Sequence, residues 1–437
     1  MRFKKIISLA LAAVFVMALS GCTPLDNSVE NMLIPPKLEG DLRPIEEALE
    51  NSAGDDITMR YPSSGEFRSA IILKDLNNDS KSEAVALYST TVDSTVTMHI
   101  NIIAEKDDQW KSLGDMSLVG NGIERVTFSD LDGDGGLEVI VGFNVYGTVD
   151  KKVGVYSIKG QIIVQRALEQ YTNFTCVDMT KDGVKDLTLV YLNSTEKSAH
   201  AKVFSLAGGS LSEVGKVALD GGITSYLEPV FSTLSNGTPA LYIDAVKGSG
   251  MLTEVLWFES GSLKTIYNES APQANLTYRE NAVKSRDYNG DGVIDIPRSE
   301  ILISTVSLAD SDKIYYTNWS DFDGHSFTTL SSSFVNIPDG YSLTVPAQWK
   351  DQIFVIRRNE QRMRIIYSYD PNKKLSGKEL FRIMVVTETD YIENNYVEQG
   401  YFVLTTGNGL VYLARVAEKN SLEITDKTVE AMFELSK

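Results

Sequence analysis

Four copies of one acidic nine-residue loop most constrain what this chain can fold into. In each copy, oxygen-bearing side chains stand at loop positions 1, 3, 5 and 9, and a run of strand-forming residues follows. A single loop of this composition could be an ordinary turn. Four copies in one register indicate a repeated architecture, and they span residues 75–83, 130–138, 178–186 and 287–295.

The spacing of these oxygens is typical of a calcium site. Ca²⁺ takes six to eight oxygen ligands at roughly 2.3–2.6 Å, and the backbone carbonyl at position 7 adds to the side chains. Position 6 needs a positive φ, which glycine provides in three loops and Ser80 does not, so we expect the first loop to be the most strained or the weakest. The predicted ligands are Asp75, Asn77, Asp79, Lys81 and Glu83; Asp130, Asp132, Asp134, Gly136 and Glu138; Asp178, Thr180, Asp182, Val184 and Asp186; and Asp287, Asn289, Asp291, Val293 and Asp295.

The EF-hand is the obvious competitor, and the sequence excludes it. An EF-hand loop requires a bidentate Glu at position 12 and flanking helices. The short runs after the loops are rich in β-branched and aromatic residues, which indicates strands. Position 12 is occupied by Ala86, Val141, Leu189 and Arg298, none of which is a carboxylate.

The loops resemble the FG-GAP/VCBS repeats, whose Asp-x-Asp-Gly-Asp-Gly-x-x-Asp/Glu motif joins strands of β-propeller blades. The second loop fits best, whereas the first lacks both glycines and the third carries Thr180 and Lys181. In the fourth, Pro297 interrupts the following strand, which should therefore be short or at an edge. The resemblance covers roughly residues 60–335 and implies a propeller with calcium in its blade loops. It implies no particular activity.

The spacing of the loops predicts about five blades of roughly 50 residues. The third and fourth loops are about twice as far apart as the others, so a unit without a metal loop is expected near residue 232. The turn at 235–239 followed by the strand-like segment 240–244 fits such a copy. The predicted fold is therefore mainly β, a β-propeller of about five blades with calcium-type loops.

The chain begins like a bacterial lipoprotein. Basic residues at Arg2, Lys4 and Lys5 precede a mostly apolar stretch from Ile6 to Leu19, which is shorter than the ~20 residues that cross a bilayer. The segment 19–22 resembles a lipobox, and in that family the cysteine, here Cys22, is lipidated. We therefore expect an N-terminal lipid on Cys22 to anchor the protein at the extracytoplasmic face of the bacterial cell membrane.

Four segments follow from these patterns. They are a signal peptide at 1–22, a tether with a short helix at 23–55, the propeller at 56–335, and a small α+β domain at 338–437. The segment that opens at Tyr341 is similar to the first strand of PsbP/Mog1-like domains. This C-terminal domain could also be the functional part, with the propeller as a spacer.

Composition and motifs favour binding over catalysis. The formal charge of −18 makes nucleic acid an unfavourable partner. The three histidines are far apart in sequence, and neither a zinc-protease motif, a nucleophile elbow nor a phosphate loop occurs, so no catalytic residue is predicted. We expect a binding or scaffolding module with an envelope glycan or protein as its partner. The alternative is an envelope hydrolase or lyase that acts on glycan or peptide with acids in the propeller channel.

Aromatic residues alternate through the segment 315–322. Such a stripe could form a platform for sugar rings, but it is more typical of a blade core.

Overall fold

The computed structural model describes residues 42–435 except 94, 146–150, 161, 207–209, 272–274 and 310–311. The predicted signal peptide, the lipidated Cys22 and most of the tether lie outside this range. The described residues belong to two compact units. The first takes them from Met1–Thr127, Val141–Thr148 and Ile158–Val164, and the second from Phe128–Ile140, Val149–Ser157 and Gln165–Lys437. Among the helices described, none has the length and apolar character needed to cross a membrane.

A short helix, α1 (Arg43–Ala53), precedes the first sheet, as the sequence predicts. Pro44 stands in its first turn, where no N–H is needed, and the helix ends at Gly54 with a φ of 85°. Ile45 and Leu49 are spaced four residues apart and therefore share one face, which is buried against Tyr88 and Ile103 of the first sheet.

Five antiparallel sheets follow one another along the chain to residue 344. The first has the order β1-β3-β4-β5, with β2 also paired to β3. Its β3 strand is buried from Glu83 to Ser89, so both faces of that strand are covered. The strands are β1 (Thr58–Met59), β2 (Ile71–Lys74), β3 (Glu83–Val92), β4 (Thr95–Lys106) and β5 (Gln109–Leu118).

The second and third sheets are four-stranded meanders with the orders β6-β7-β8-β9 and β10-β11-β12-β13. In the third sheet, hairpin pairing is continuous from Asn173↔Val190 to Val177↔Asp186. The strands are β6 (Gly122–Ser129), β7 (Glu138–Asn144), β8 (Lys151–Lys159), β9 (Ile162–Tyr171), β10 (Asn173–Val177), β11 (Asp186–Asn193), β12 (Ser198–Ser205) and β13 (Ser212–Leu219).

The fourth sheet is the predicted copy without a metal loop. A tight turn with Gly237 at a φ of 81° joins its second and third strands, in agreement with the predicted turn and strand near residue 240. Its order is β14-β16-β17-β18, with β15 also paired to β16. The strands are β14 (Ser225–Tyr226), β15 (Val230–Thr233), β16 (Pro239–Lys247), β17 (Gly250–Glu259) and β18 (Ser262–Thr265).

The fifth sheet contains strands from both sides of residue 338, in the order β19-β20-β21-β22-β28. Pro297 lies in β19, which is an edge strand as predicted. The strands are β19 (Ile296–Ile301), β20 (Tyr315–Phe322), β21 (Phe327–Asn336), β22 (Tyr341–Thr344) and β28 (Phe433–Leu435).

The rest of the C-terminal region is α+β, as predicted. A sixth sheet has the order β23-β24-β25-β27-β26. Its strands are β23 (Ile353–Arg358), β24 (Met363–Asp370), β25 (Leu375–Thr387), β26 (Phe402–Gly407) and β27 (Leu410–Val416), and the helices are α2 (Glu388–Glu393) and α3 (Asp426–Met432). The predicted limits at 335 and 338 stay predictions, because one core includes both Tyr316 and Tyr412.

Within the second unit, apolar cores lie between successive sheets. Val155 of the second sheet shares a core with Leu187 of the third, and Val203 of the third shares one with Leu241 of the fourth. Trp257 of the fourth sheet meets Phe322 of the fifth edge to face, with ring centroids 5.5 Å apart. This serial packing of blade-sized sheets, with the small α+β region after them, confirms the predicted fold class.

Candidate metal centres

The four predicted loops adopt the same backbone conformation. Each connects two antiparallel segments, so that the residue before position 1 pairs with position 9, as in Lys74↔Glu83, Val177↔Asp186 and Arg286↔Asp295. Positions 4 and 6 have positive φ in every copy. The values are 60° and 70° for Asn78 and Ser80, 73° and 89° for Gly133 and Gly135, 61° and 91° for Lys181 and Gly183, and 83° and 86° for Gly290 and Gly292.

The expectation for position 6 is therefore confirmed. The first loop is also the only one of the four with non-glycine residues at both positive-φ positions, which agrees with the expected strain.

The position 1 carboxylate organises each turn. Its Oδ2 accepts a hydrogen bond from the N–H of position 6, at 2.9–3.0 Å in all four loops. Its Oδ1 accepts from the N–H of position 4 or 5. The four residues are Asp75, Asp130, Asp178 and Asp287. The Oδ2 atom of each keeps a second lone pair, which leaves room for a cation, whereas Asp287 Oδ1 accepts from both Gly290 and Asp291.

Positions 3 and 5 continue the pattern. The position 5 aspartate accepts from the N–H of position 7 at 2.8–2.9 Å in every loop, through Asp79, Asp134, Asp182 and Asp291. The N–H of position 5 donates to the side chain of position 3 in three loops, through Asn77, Asp132 and Asn289. Thr180 differs, because its hydroxyl donates to Asp186 instead. The residues at position 7, predicted to offer carbonyl oxygens, are Lys81, Gly136, Val184 and Val293.

The position 9 acid is buried beneath each loop. Glu83, Glu138, Asp186 and Asp295 are at most 3% exposed, and each accepts a hydrogen bond from the N–H of position 2 at 2.8–2.9 Å. Burial raises the pKa of all four carboxyl groups, and the hydrogen bond from the backbone N–H lowers it in part. A divalent cation beside them would relieve this cost of burying a charge.

The second loop brings three acids closest together. Asp130, Asp132 and Glu138 offer oxygens within 4.8 Å of one another, and no other such acidic, histidine or cysteine group occurs in the part of the chain that is described. Asp134 lies outside this group, with Oδ1 bonded to the N–H of Gly136. The other three loops mix carboxylates with amide or hydroxyl oxygens at position 3.

The fourth loop has a feature that the sequence analysis missed. Asp295 Oδ1 and Asp321 Oδ1 are both buried. The two carboxyl groups hydrogen-bond to each other, and neither Oδ1 has a further donor among the described residues. Burial and the neighbouring Asp321 carboxylate raise the pKa of Asp295 to about 7. Asp321 stands on β20, opposite the strand that follows the loop, so only the strand pairing reveals it.

The donor set of these loops fits a hard divalent cation. Carboxylate, amide and carbonyl oxygens are the ligands that Ca²⁺ prefers, and neither a thiol nor an imidazole is among them. A positive charge would stabilise both the clustered oxygens of the second loop and the buried carboxyl pair of Asp295 and Asp321. The second and third loops also lie side by side, since a Cβ on Gly133 would be 3.0 Å from Val184 Cγ2.

Outside the loops, the fourth sheet carries two buried ionic groups that the sequence did not predict. Arg279 is 1% exposed and pairs with Asp244, with 2.8 Å between Nη2 and Oδ1. Glu254 is 0% exposed, and its Oε1 accepts from the N–H of Asp220. Asp220 in turn binds Lys247 Nζ at 2.6 Å. Neither group belongs to a sequence motif.

No protein-family model matches the chain, and no curated protein matches it. The resemblance to FG-GAP/VCBS repeats therefore rests on the loops alone. Among solved structures, the chain is similar to a rhamnogalacturonan lyase from Bacillus licheniformis at 13% identity and a TM-score of 0.31, over 65% of this chain and 66% of that one. It thus spans slightly less than two thirds of that structure.

Two further structures show a similar degree of likeness. An exotype rhamnogalacturonan lyase aligns at 10% identity and a TM-score of 0.31, over 74% of this chain and 73% of that one. A periplasmic gluconolactonase from Pseudomonas aeruginosa aligns at 10% identity and a TM-score of 0.26, over 72% of this chain and 85% of that one. Identities and TM-scores this low give no information about the activity of this chain.

Proposed function

We propose that this protein is a lipid-anchored, extracytoplasmic binding or scaffolding module whose blade loops hold calcium. The observation that carries the proposal is the shared geometry of the four loops, each with a buried acid at position 9. Three further oxygen-bearing side chains surround the turn in each copy. A merely turn-forming sequence needs no buried carboxylate beneath it, because burying a charge is costly even when a backbone N–H donates to it.

Calcium in these loops would be structural. It would neutralise the carboxylates of each loop and fix the hairpin that joins two strands of a blade. The rigid loops and the connections beside them would then present a recognition surface to an envelope glycan or protein. The acidic chain, with a formal charge of −18, does not suit nucleic acid.

The first prediction concerns calcium content. We expect the full chain, equilibrated in calcium buffer and freed of loose ions, to retain about three to four Ca²⁺ per molecule. Metal analysis by plasma mass spectrometry measures this number directly. A protein that retains no calcium under these conditions would refute the proposal.

A variant separates ligation from turn formation. Asp134→Ala should lower the melting temperature in calcium and have much less effect in chelator, because the lost ion contributes about 2.7 kcal/mol at a hundredfold excess over Kd. Asp370→Ala is the matched control, since Asp370 also accepts bonds from two backbone N–H groups of an exposed turn. Equal losses with and without chelator would assign Asp134 to turn packing.

The second prediction tests the anchor. Cys22→Ser should release the protein from the membrane fraction into the soluble fraction, because a serine cannot receive the thioether-linked lipid. Fractionation of cells followed by immunoblotting provides the measurement. An unchanged membrane fraction would show that Cys22 is not the attachment site.

A second candidate function is an envelope hydrolase or lyase that acts on glycan or peptide. The observation that favours it is Glu254, a carboxyl group outside the loops whose burial raises its pKa to about 7 beside Asp220. Because Glu254 is 0% exposed, a substrate could reach it only after the fold opens. Turnover of a glycan or peptide panel that disappears in Glu254→Gln would support this candidate over the binding role.

A further inference from the structure

A cavity of about 650 Å³ lies between the fifth sheet and the strands β23 and β24. This volume falls within the range of roughly 300–1,000 Å³ found for small-molecule sites. None of the predicted loop ligands lines the cavity. The cavity is therefore a candidate binding site distinct from the four loops.

The lining of this cavity is positive in a strongly acidic protein. Four cations, Lys313, Arg357, Arg362 and Arg364, face a single carboxylate, that of Asp339. Asp339 is already satisfied, because its Oδ1 accepts from Arg362 Nε at 2.6 Å and its Oδ2 from Asn336 Nδ2 at 2.8 Å. The one carboxylate of the lining is thus already paired with Arg362.

Two of the arginines stand directly opposite each other. Arg357 on β23 and Arg364 on β24 are partners in the antiparallel register, so their side chains share one face of the sheet. Like charges at such a position repel and destabilise the pairing. Burial, followed by the positive charge of Arg364, lowers the pKa of Arg357, while Asp312 acts in the opposite direction. The fold keeps this unfavourable pair at the wall of a cavity.

The hydrogen bonds of Arg364 do not relieve the repulsion. Arg364 donates to Asn359 Oδ1 at 3.2 Å, to the Met363 carbonyl at 3.1 Å and to Asn336 Oδ1 at 3.4 Å, all neutral acceptors. Over the described residues, it takes part in no ion pair. Arg357 donates from Nη2 to the carbonyl of Lys313. An anion between the two guanidinium groups could accept from both, in the planar geometry that arginine favours.

A buried donor adds an independent observation. Tyr341 lines the cavity and is 1% exposed. Asn336 donates a hydrogen bond to its hydroxyl oxygen, and the hydroxyl proton has no acceptor among the described residues. Burial raises the pKa of Tyr341 to about 12, so the hydroxyl keeps its proton at neutral pH and remains a donor. A buried hydroxyl without an acceptor is costly unless a ligand supplies one.

The remainder of the wall is apolar. Ile314, Leu343, Val355 and Ile366 are buried side chains that line the cavity beside the charged groups. A fully hydrated inorganic ion would leave this surface in contact with water. An organic body attached to the anion would cover it.

We propose that this cavity binds a small amphipathic organic anion, a carboxylate or phosphate carried on an apolar or aromatic body. Arg357 and Arg364 would receive the oxyanion, the Tyr341 hydroxyl would donate to it, and the aliphatic wall would contact the body. The site does not depend on the calcium loops. Carboxylate and phosphate share this chemistry, and both are tested as probes.

The third prediction uses four probes on the full chain, measured by isothermal titration calorimetry up to about 10 mM. Benzoate and phenyl phosphate should bind, and the one with the lower Kd identifies the preferred oxyanion. Benzyl alcohol, which keeps the ring without the charge, and inorganic phosphate, which keeps the charge without the ring, should each bind at least about tenfold more weakly.

Variants assign the binding to the cavity. Arg357→Gln and Arg364→Gln should each raise the Kd of the better probe by about tenfold or more. The melting temperature of each variant, compared with that of the parent, checks that the fold is intact. Arg358→Gln is the matched control, since Arg358 adjoins Arg357 in β23, is exposed and does not line the cavity. It should change Kd by less than about twofold.

The outcomes separate this proposal from the calcium proposal. Anion binding should be the same in calcium and in chelator at temperatures where the fold persists. Absence of binding by both anions, equal binding of benzyl alcohol, or equal losses in Arg358→Gln and Arg364→Gln would each overturn the cavity assignment. None of these results bears on the calcium content of the loops.

Discussion

Replacement of Arg279 by leucine is expected to lower the free energy of unfolding by about 3–5 kcal/mol, the largest loss that we predict for a single substitution. The guanidinium is 1% exposed and donates to Asp244 Oδ1 at 2.8 Å and to Thr253 Oγ1 at 2.9 Å. Leucine would fill part of the volume. It would leave the 8%-exposed Asp244 carboxylate buried without its counter-charge.

The same arginine ties the long connection after the fourth sheet to that sheet. Its backbone forms a bridge with Met251, and its Nε donates to the carbonyl of Val283 at 2.5 Å. Loss of the side chain should therefore also loosen the approach to the fourth loop. Urea denaturation followed by circular dichroism measures the change in unfolding free energy.

Two controls make the result specific. Lys373→Met removes an ion pair whose side chains are 73% and 40% exposed, and it should cost at most about 0.5 kcal/mol. The double variant Arg279→Leu with Asp244→Asn removes both charges and should recover part of the loss. If the single and double variants lose the same stability, packing rather than charge explains the role of Arg279.

Glu254→Gln is expected to change how stability depends on pH. Burial raises the pKa of Glu254 from 4.5 to about 7, and the charge of Asp220 acts in the same direction. The folded protein therefore binds more protons than the unfolded chain between these two pH values. As pH rises through this window, Glu254 ionises at a cost, and stability falls by about 3 kcal/mol at most.

The glutamine side chain of this variant does not ionise between pH 5 and pH 8. It should be more stable than the parent at pH 8 and gain little at pH 5, because its Oε1 can still accept from the N–H of Asp220. Urea denaturation at both pH values measures the difference. Glu430→Gln, on the exposed face of α3, should show no such difference between the two conditions. A Glu254→Gln variant destabilised equally at both pH values would contradict the expectation.

The metal loops could be predicted in detail because their information is local. Nine residues contain the carboxylates, the glycines and the acid that closes the loop, so the need for positive φ at position 6 follows from the sequence. The positive φ at position 4 was not predicted, because Asn78 and Lys181 stand there in place of glycine. Asparagine adopts a left-handed backbone more readily than most residues, but lysine gives no sign of one.

The features that sequence reasoning missed depend on contacts between distant residues. Arg357 and Arg358 look alike in the sequence, and only the register of β23 with β24 sets the first opposite Arg364. The pairing of β22 with β28 joins residues about ninety positions apart. Aromatic spacing did predict that Tyr316 and Trp319 belong to a core, where both are 2% exposed. It could not show that Tyr315 faces a cavity.

The hydrogen bonds from the backbone to the carboxylates of the four loops are local, which bears on how such a chain can evolve. In each, the backbone N–H groups that donate to the carboxylates at positions 1 and 5 belong to the same nine residues. The unit is thus portable, because its shape needs little from the neighbouring sequence. Insertions can accumulate between two copies without disturbing either, which is how the long stretch between the third and fourth loops is tolerated.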